Sequence, residues 1–317
     1  MTIRSTLSPR TLSRRTLFKT LGLGLAAAAI GQLGIGRLTA GANGMTFRTI
    51  PGTDEQVPVI GLGTARTFNV SPEGDLSPQR GVLEAFHAEG GRLVDTSPMY
   101  GHAETVVGRL SEELGITGDL FHATKVWTHG EDSGIEQMRH SEALLRVERL
   151  DLNQVHNLVD LETQLNTLKR WREEGRVRYI GVTHYRVDAH DELAQILRRE
   201  PIDFVQFNYS IATRAAENGL LPAAADNGVA TLINEPFERG TLFDRVRGEP
   251  LPGWADELGI ESWAQVFLKY IAGHPAVTCV IPATTNPDHA RDNTRAGLGP
   301  MPDEAQRARM VEAFESL

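Results

Sequence analysis

Eight short apolar runs recur along this chain, at residues 57–63, 92–96, 120–126, 152–156, 177–182, 204–207, 229–233 and 277–282. Longer segments between them carry apolar residues three and four apart, as in Val82, Leu83 and Phe86, in Ala143, Leu144 and Val147, and in Leu165, Leu168 and Trp171. The first pattern is that of buried strands and the second that of helices with one apolar face. Gly90, Gly175 and Gly228 close such segments, where a helix C-terminus takes a left-handed residue. Eight strand–helix units in strict alternation point to a closed parallel (β/α)₈ TIM barrel, an α/β fold, and 317 residues suit one such barrel with a short leader. An open doubly wound sheet normally marks its first strand with Gly-x-Gly-x-x-Gly. Here the first run continues Ile60-Gly61-Leu62-Gly63-Thr64-Ala65-Arg66, and no third glycine opens a helix. Residues 45–56 read as an N-terminal β-hairpin turning at Pro51-Gly52-Thr53-Asp54, and residues 303–317 as an extra C-terminal helix. No linker and no repeat of twenty to fifty residues breaks the chain, so residues 43–317 are expected to form one catalytic domain.

The first 42 residues are different in kind. They carry Arg4, Arg10, Arg14, Arg15, Lys19 and Arg37 and no acidic residue. Setting them aside takes the net charge from −9 to −15, which argues against a nucleic-acid partner, since a polyanion groove needs a basic stripe. Ser13-Arg14-Arg15-Thr16-Leu17-Phe18-Lys19 precedes a mild Gly/Ala/Leu-rich stretch too short and too weakly apolar for a membrane span. Paired arginines before such a stretch, with Ala40-Gly41-Ala42 as a small-residue cleavage site, resemble a twin-arginine export signal. Export to the periplasm through the twin-arginine machinery is the expectation, and a cytoplasmic protein starting near Met45 is the alternative. The single cysteine, Cys279, lies in an apolar run and reads as a buried structural thiol.

In a parallel barrel the C-terminal strand ends share one mouth. The second run ends at Asp95, with Tyr100 five residues on, the third at Lys125 and the fourth at His156. Three consecutive strands can therefore bring these four side chains together. A phenol titrates near pH 10, too high for easy proton exchange at neutral pH. An ammonium about 4 Å away, at an effective dielectric near 20, is worth roughly 4 kcal/mol or about three pKa units. Lys125 is thus expected to bring Tyr100 down toward the working range, Asp95 to neutralise the buried lysine, and His156 to donate to a substrate oxygen. Redox chemistry on such a set needs a carrier cofactor. Trp127 is expected to line the substrate pocket. His102, His129 and His184 have no ligand spacing, so no metal site is expected.

The segment Asp95-Thr96-Ser97-Pro98-Met99-Tyr100-Gly101-His102-Ala103-Glu104, followed by Gly108, resembles the signature of the aldo-keto reductases. The resemblance continues through Ala123-Thr124-Lys125, Gln154-Val155-His156-Asn157, Gly181-Val182-Thr183, Gln206-Phe207-Asn208-Tyr209 and Ile281-Pro282-Ala283-Thr284 with Asn293. It implies that Tyr100 donates a proton while NADP or NAD supplies hydride to a small aldehyde or ketone, with Lys125 and Asp95 tuning the phenol and His156 orienting the carbonyl. It also implies that Thr183 and Gln206 hold the nicotinamide amide, with His184 where the family has an asparagine. Asn234 stands where relatives stack an aromatic ring on the nicotinamide, and Glu235 follows it beside the pyrophosphate path. Ala283 and His289 replace a lysine and an arginine that grip the 2′-phosphate of NADP. Thr284, Thr285 and the following helix N-terminus are left to share that contact. A relaxed or NAD-leaning cofactor preference follows. Two other readings fit parts of the pattern: a catalytically weak nucleotide-binding subunit or sensor, and a lyase or hydrolase that uses Lys125 as a Schiff-base nucleophile.

Overall fold

Side chains alternate between the two faces of every strand, and that alternation sorts this chain into a plugged barrel and an outer shell. The computed structural model describes residues 37–41 and 44–317. The twin-arginine motif and the apolar stretch after it lie outside the described residues. Strands β1 (Leu38–Ala40), β2 (Thr46–Thr49) and β3 (Gln56–Pro58) form a small antiparallel sheet in the order β1-β2-β3. The expected hairpin is therefore present, and it gains an edge strand from residues on the leader side of position 42.

The main sheet is parallel throughout and follows chain order: β4 (Leu62–Gly63), β5 (Leu93–Asp95), β6 (Phe121–Val126), β7 (Leu150–His156), β8 (Val177–Thr183), β9 (Phe204–Asn208), β10 (Ala230–Asn234) and β11 (Cys279–Val280). Backbone bonds join the last strand to the first: Val280 N–H donates to Val59 O at 2.9 Å, Gly61 N–H to Val280 O at 2.8 Å, and Gly63 N–H to Pro282 O at 2.9 Å. Both glycines of the first strand have a steric reason here. A Cβ on Gly61 would lie 2.8 Å from Leu93 O, and one on Gly63 2.8 Å from Ile281 O. The closure explains a motif that otherwise suggests a nucleotide fingerprint. The first apolar run, expected as one strand, instead divides between β3 and β4.

Interior positions below the mouth are apolar: Leu93, Phe121, Ala123, Leu152, Tyr179, Phe204, Ala230, Leu232 and Cys279 form one cluster with Ile50 and Val57 of the small sheet. That sheet thus plugs the N-terminal end. Register then places polar residues of the same parity one layer higher, with Lys125 paired to Gln154, His156 to Thr183 and Thr183 to Gln206. Outward residues such as Val94, Val126, Val155, Ile180, Val182, Val205 and Ile233 join the larger core beneath the helices. The helices alternate with the strands: α1 (Ser77–Ala88), α2 (Ala103–Glu113), α3 (Glu131–Leu145), α4 (Leu161–Glu173), α5 (His190–Arg199), α6 (Leu220–Asp226), α7 (Leu242–Arg245), α8 (Trp263–Ala272), α9 (Pro287–Arg295) and α10 (Glu304–Glu315). The expected C-terminal helix is α10, started by a capping box between Asp303 and Gln306. Phe314 seats it on Phe267, with ring centroids 5.7 Å apart. Among the described residues no helix is long and apolar enough to cross a membrane.

Candidate active site

After β5 the chain turns sharply at Ser97, whose Oγ accepts the Met99 N–H at 3.2 Å and caps a 3₁₀ turn over Pro98–Tyr100. Gly101 then takes φ 61°, and a Cβ there would meet Asn69 Oδ1 at 2.1 Å. The turn carries Tyr100 over the end of β6. Lys125, wholly buried, donates to Asp95 Oδ2 and to Thr96 O, each at 2.7 Å, and its Nζ lies 5.0 Å from the Tyr100 ring centroid. Asp95 Oδ1 accepts from Gln206 Nε2 at 2.8 Å and from Gln154 Nε2 at 3.4 Å. The Asp95–Lys125 pair is therefore buried and bonded on every side, the condition under which such a pair is tolerated. Burial opposes the lysine charge, but Asp95 and Tyr100 outweigh it and hold the ammonium above its ordinary range.

The expected direction for Tyr100 is corrected by the structure. Burial pushes the phenol up, Lys125 pulls it down, and Asp95 and Glu235 push it up again, leaving it above its ordinary value. Burial of the phenol outweighs the pull of the Lys125 charge on which that expectation rested. A raised phenol is a fully protonated one at neutral pH, and so a donor.

His156 ends β7 with its ring edge-on to Tyr100, centroids 5.8 Å apart. Its Nδ1 lies 3.1 Å from Ser97 Oγ. Burial first, then the charges of Lys125 and His184, lower its pKa to about 3, so it is a neutral imidazole at neutral pH.

These groups floor a cavity of about 610 Å³ at the C-terminal strand ends, walled also by Asn157, Thr183, Gln206, Asn234, Glu235 and Arg239. Thr183 Oγ donates to Gln206 Oε1 at 3.1 Å, which links the two expected amide contacts directly to Asp95. Each keeps spare capacity, Gln206 a second N–H and Thr183 an acceptor lone pair. Among the described residues Asn234 Oδ1 and Asn157 Oδ1 are buried without a hydrogen-bond partner, and both residues line this cavity. Glu235 is in the left-handed region at φ 49° and accepts from Arg239 Nε at 2.9 Å. His184 stacks on Tyr185 at 5.6 Å, and Tyr185 is in the cavity wall. Trp127 is exposed, and its N–H donates to Gln137 Oε1 at 2.6 Å; neither His184 nor Trp127 is among the residues walling this cavity.

A second cavity of about 430 Å³ shares Phe237, Phe243 and Ala283 with the first. Thr284, His289 and Asn293 line it, while Thr285 points to solvent outside it. Asn286 caps α9 by accepting the Asp288 N–H at 2.8 Å. Arg291 is engaged with Asp288 at 2.9 Å and Glu89 at 3.5 Å. Asp292, which sequence reasoning passed over, also lines this cavity, fixed by Ser262 Oγ at 2.6 Å and Gln265 Nε2 at 2.7 Å. Only its position one residue before Asn293 hinted at it. Together the two cavities suit an elongated nucleotide: spare amide-type partners lie at the reacting end, and a helix N-terminus and a buried asparagine at the other.

Comparison with known proteins identifies the family. The aldo/keto reductase family model matches residues 59–312. Aldo-keto reductase YhdN of Bacillus subtilis is 28% identical over 223 residues, 65% of this chain and 66% of that protein. The NADH-specific methylglyoxal reductase of Escherichia coli is 27% identical over an alignment of 324 residues, 84% of this chain and 97% of that protein. Among solved structures, the aldo/keto reductase of Klebsiella pneumoniae in complex with NADP and acetate superposes with a TM-score of 0.68 at 24% identity, covering 82% of this chain and 92% of that one. The holo form of AKR11C1 from Bacillus halodurans gives 0.69 at 21%, covering 85% and 96%.

Proposed function

Because the chain belongs to the aldo/keto reductase family, we propose that it reduces a small aldehyde or ketone with Tyr100 as the general acid. The observation that carries this reading is that Asp95, Tyr100 and His156 line one cavity, with Lys125 buried beneath them on Asp95 and against the Tyr100 ring. As a member of that family it is a nicotinamide-dependent oxidoreductase, and the nucleotide, when bound, would supply the hydride. Thr183 and Gln206 would hold its carboxamide with the acceptor and donor they have left. His156, neutral, donates from Nε2 to the carbonyl oxygen and sets its approach. Tyr100, kept protonated by burial, gives its proton to the same oxygen as charge builds there. Lys125 then faces a developing phenolate, and its ammonium, held in place by Asp95 and Thr96 O, stabilises it.

For the cofactor we infer a relaxed or NAD-leaning preference. Ala283 offers no charge, Arg291 is already paired, and Asp292 sets a fixed carboxylate in the wall where a 2′-phosphate would add two more charges. The NADH-specific relative named above supports the same direction. For residues 1–42 we infer a twin-arginine leader that takes the folded protein to the periplasm; cleavage at Ala40-Gly41-Ala42 would remove β1 and leave β2 as the sheet edge. Fractionation of a producing bacterium tests this, and an unprocessed, wholly cytoplasmic product would overturn it.

The enzymatic reading is tested by fluorescence titration with NADH and NADPH, followed by turnover across a panel of small aldehydes. Nucleotide binding with turnover that drops about 10²- to 10⁴-fold in Tyr100→Phe is the expected result. Tight binding with no turnover would favour a nucleotide-binding sensor instead, the reading to which Asn234 and Glu235 at the ring face lend weight. Borohydride trapping of a carbonyl compound on Lys125 would favour the Schiff-base alternative.

A further inference from the structure

The hydroxyl of Ser97 touches both the turn that carries Tyr100 and the ring of His156, and neither contact is a property of the four-residue set itself. We propose that Ser97 is a positioning residue which fixes the tautomer of His156, keeping its proton on Nε2 where the cavity is. The proposal rests on the reductase reading for its catalytic consequence and on geometry alone for the tautomer.

Ser97 is completely buried, so its hydroxyl must be satisfied by protein groups. A hydroxyl has one proton to give and two lone pairs to offer. One lone pair takes the Met99 N–H at 3.2 Å. Among the described residues the remaining partner is His156 Nδ1 at 3.1 Å. Were Nδ1 protonated, the serine would accept twice and its own proton would be buried with no acceptor, a loss comparable to a missing hydrogen bond. With Nδ1 as acceptor every group is satisfied. The ring proton then sits on Nε2, which has no protein partner among the described residues, and His156 lines the cavity beside Tyr100. The Met99 bond adds a second constraint: the hydroxyl that orients the histidine also sets the 3₁₀ turn delivering Tyr100. Two groups that must meet one carbonyl oxygen are thereby held to a common reference. Among the described residues no carboxylate bonds the imidazole, and the hydrogen bond made by one ring nitrogen decides which nitrogen carries the proton.

The experiment reads the ring nitrogens of His156 directly, by long-range ¹H–¹⁵N correlation on the whole protein labelled at histidine, with the signal assigned through His156→Gln. In the wild type the Nδ1 resonance is expected in the unprotonated range and Nε2 in the protonated range. In Ser97→Ala the pattern is expected to shift toward a mixture of tautomers, and kcat/KM for an aldehyde to fall about five- to thirtyfold while the affinity for nucleotide stays unchanged. Ser97→Thr, which keeps a hydroxyl, is expected to restore the wild-type pattern. A wild-type ring protonated at Nδ1 overturns the proposal, as does a Ser97→Ala spectrum identical to the wild type. Because the wild-type spectrum needs neither a folded variant nor a substrate, failure of the tautomer and failure of the reductase reading are told apart: the second would show as absent turnover beside the expected spectrum.

Discussion

The two ends of the paired cavities are built on different principles. At the reacting end, Asp95, Lys125, Gln206, Thr183 and His156 are each 5% exposed or less; the first four are tied by hydrogen bonds to one another and His156 to Ser97. At the nucleotide end, His289 and Thr285 stand in solvent and the Ala283 side chain offers no hydrogen bond. The difference teaches where constraint lies. A buried network fails as a unit when one member goes, so its residues are pinned to each other. An exposed anchor can be exchanged for another at a cost confined to the ligand it holds.

The largest break expected is at the reacting end. Lys125→Met leaves the Asp95 carboxylate buried with only two amide donors, and a buried pair broken from one side costs about 3–5 kcal/mol. Urea denaturation should show that loss, while His289→Ala, on the surface, should stay within about 0.5 kcal/mol of the parent. Equal losses in the two variants would erase the contrast.

Acid should find the same end. His156 is held neutral in the folded state, with a pKa of about 3 against an ordinary 6.5. Between those values the unfolded chain takes up a proton that the native ring refuses, so stability falls as pH drops from about 6.5 toward 3, by an amount on the order of several kcal/mol. His274, lowered to about 4 chiefly by burial and then by Arg307, adds in the same direction. Denaturation midpoints at pH 7 and pH 4.5 should differ less in His156→Gln than in the wild type. An unchanged pH dependence in that variant would place the acid sensitivity elsewhere.

Much of this contrast was legible before any coordinates. Strand ends identify the residues that share a mouth, and in a parallel barrel taken in chain order Asp95, Lys125 and His156 have to arrive side by side. Period-two alternation places them above the apolar plug without further information. What the pattern does not carry is the set of partners each side chain chooses. The direction of the Tyr100 shift depends first on how deeply the phenol is buried and then on Lys125 and Asp95, and the contact of Ser97 Oγ with His156 Nδ1 leaves no mark in the spacing of residues. Trp127 and His184 follow strand ends, yet neither is among the residues walling the cavity. Loop paths are set by local turn chemistry and packing together, and a spacing argument sees neither.

At the nucleotide end the predictions concern gain rather than loss. Ala283→Lys with His289→Arg would place two cations at the wall of the smaller cavity. Each charge-assisted bond to a 2′-phosphate is worth roughly 1.5–3 kcal/mol, so the pair should favour NADPH over NADH by about 10²- to 10⁴-fold relative to the parent. Asp292 should hold the result near the lower figure, since its carboxylate remains fixed by Ser262 and Gln265. Competitive titration with the two nucleotides decides it, and a gain confined to NADH would mean that the 2′-position lies elsewhere.

The smallest effect is expected from Asn234→Tyr, and it sharpens the comparison most. Asn234 ends β10 and lines the larger cavity, and its buried Oδ1 has no hydrogen-bond partner among the described residues, so the parent carries an unsatisfied acceptor at the place where a ring could stack. A tyrosine there would remove that orphan and add aromatic stacking of about 0.5–1.5 kcal/mol, tightening nucleotide binding by about two- to tenfold. Its backbone is the last residue of a strand and needs no left-handed conformation, unlike Glu235 beside it. If binding tightens while kcat is unchanged, the ring face is a separable anchor and the nucleotide end is as exchangeable as its exposure implies. If binding weakens instead, Asn234 is already hydrogen-bonded to the nucleotide through the oxygen that the protein leaves free, and this end is constrained in the same way as the other.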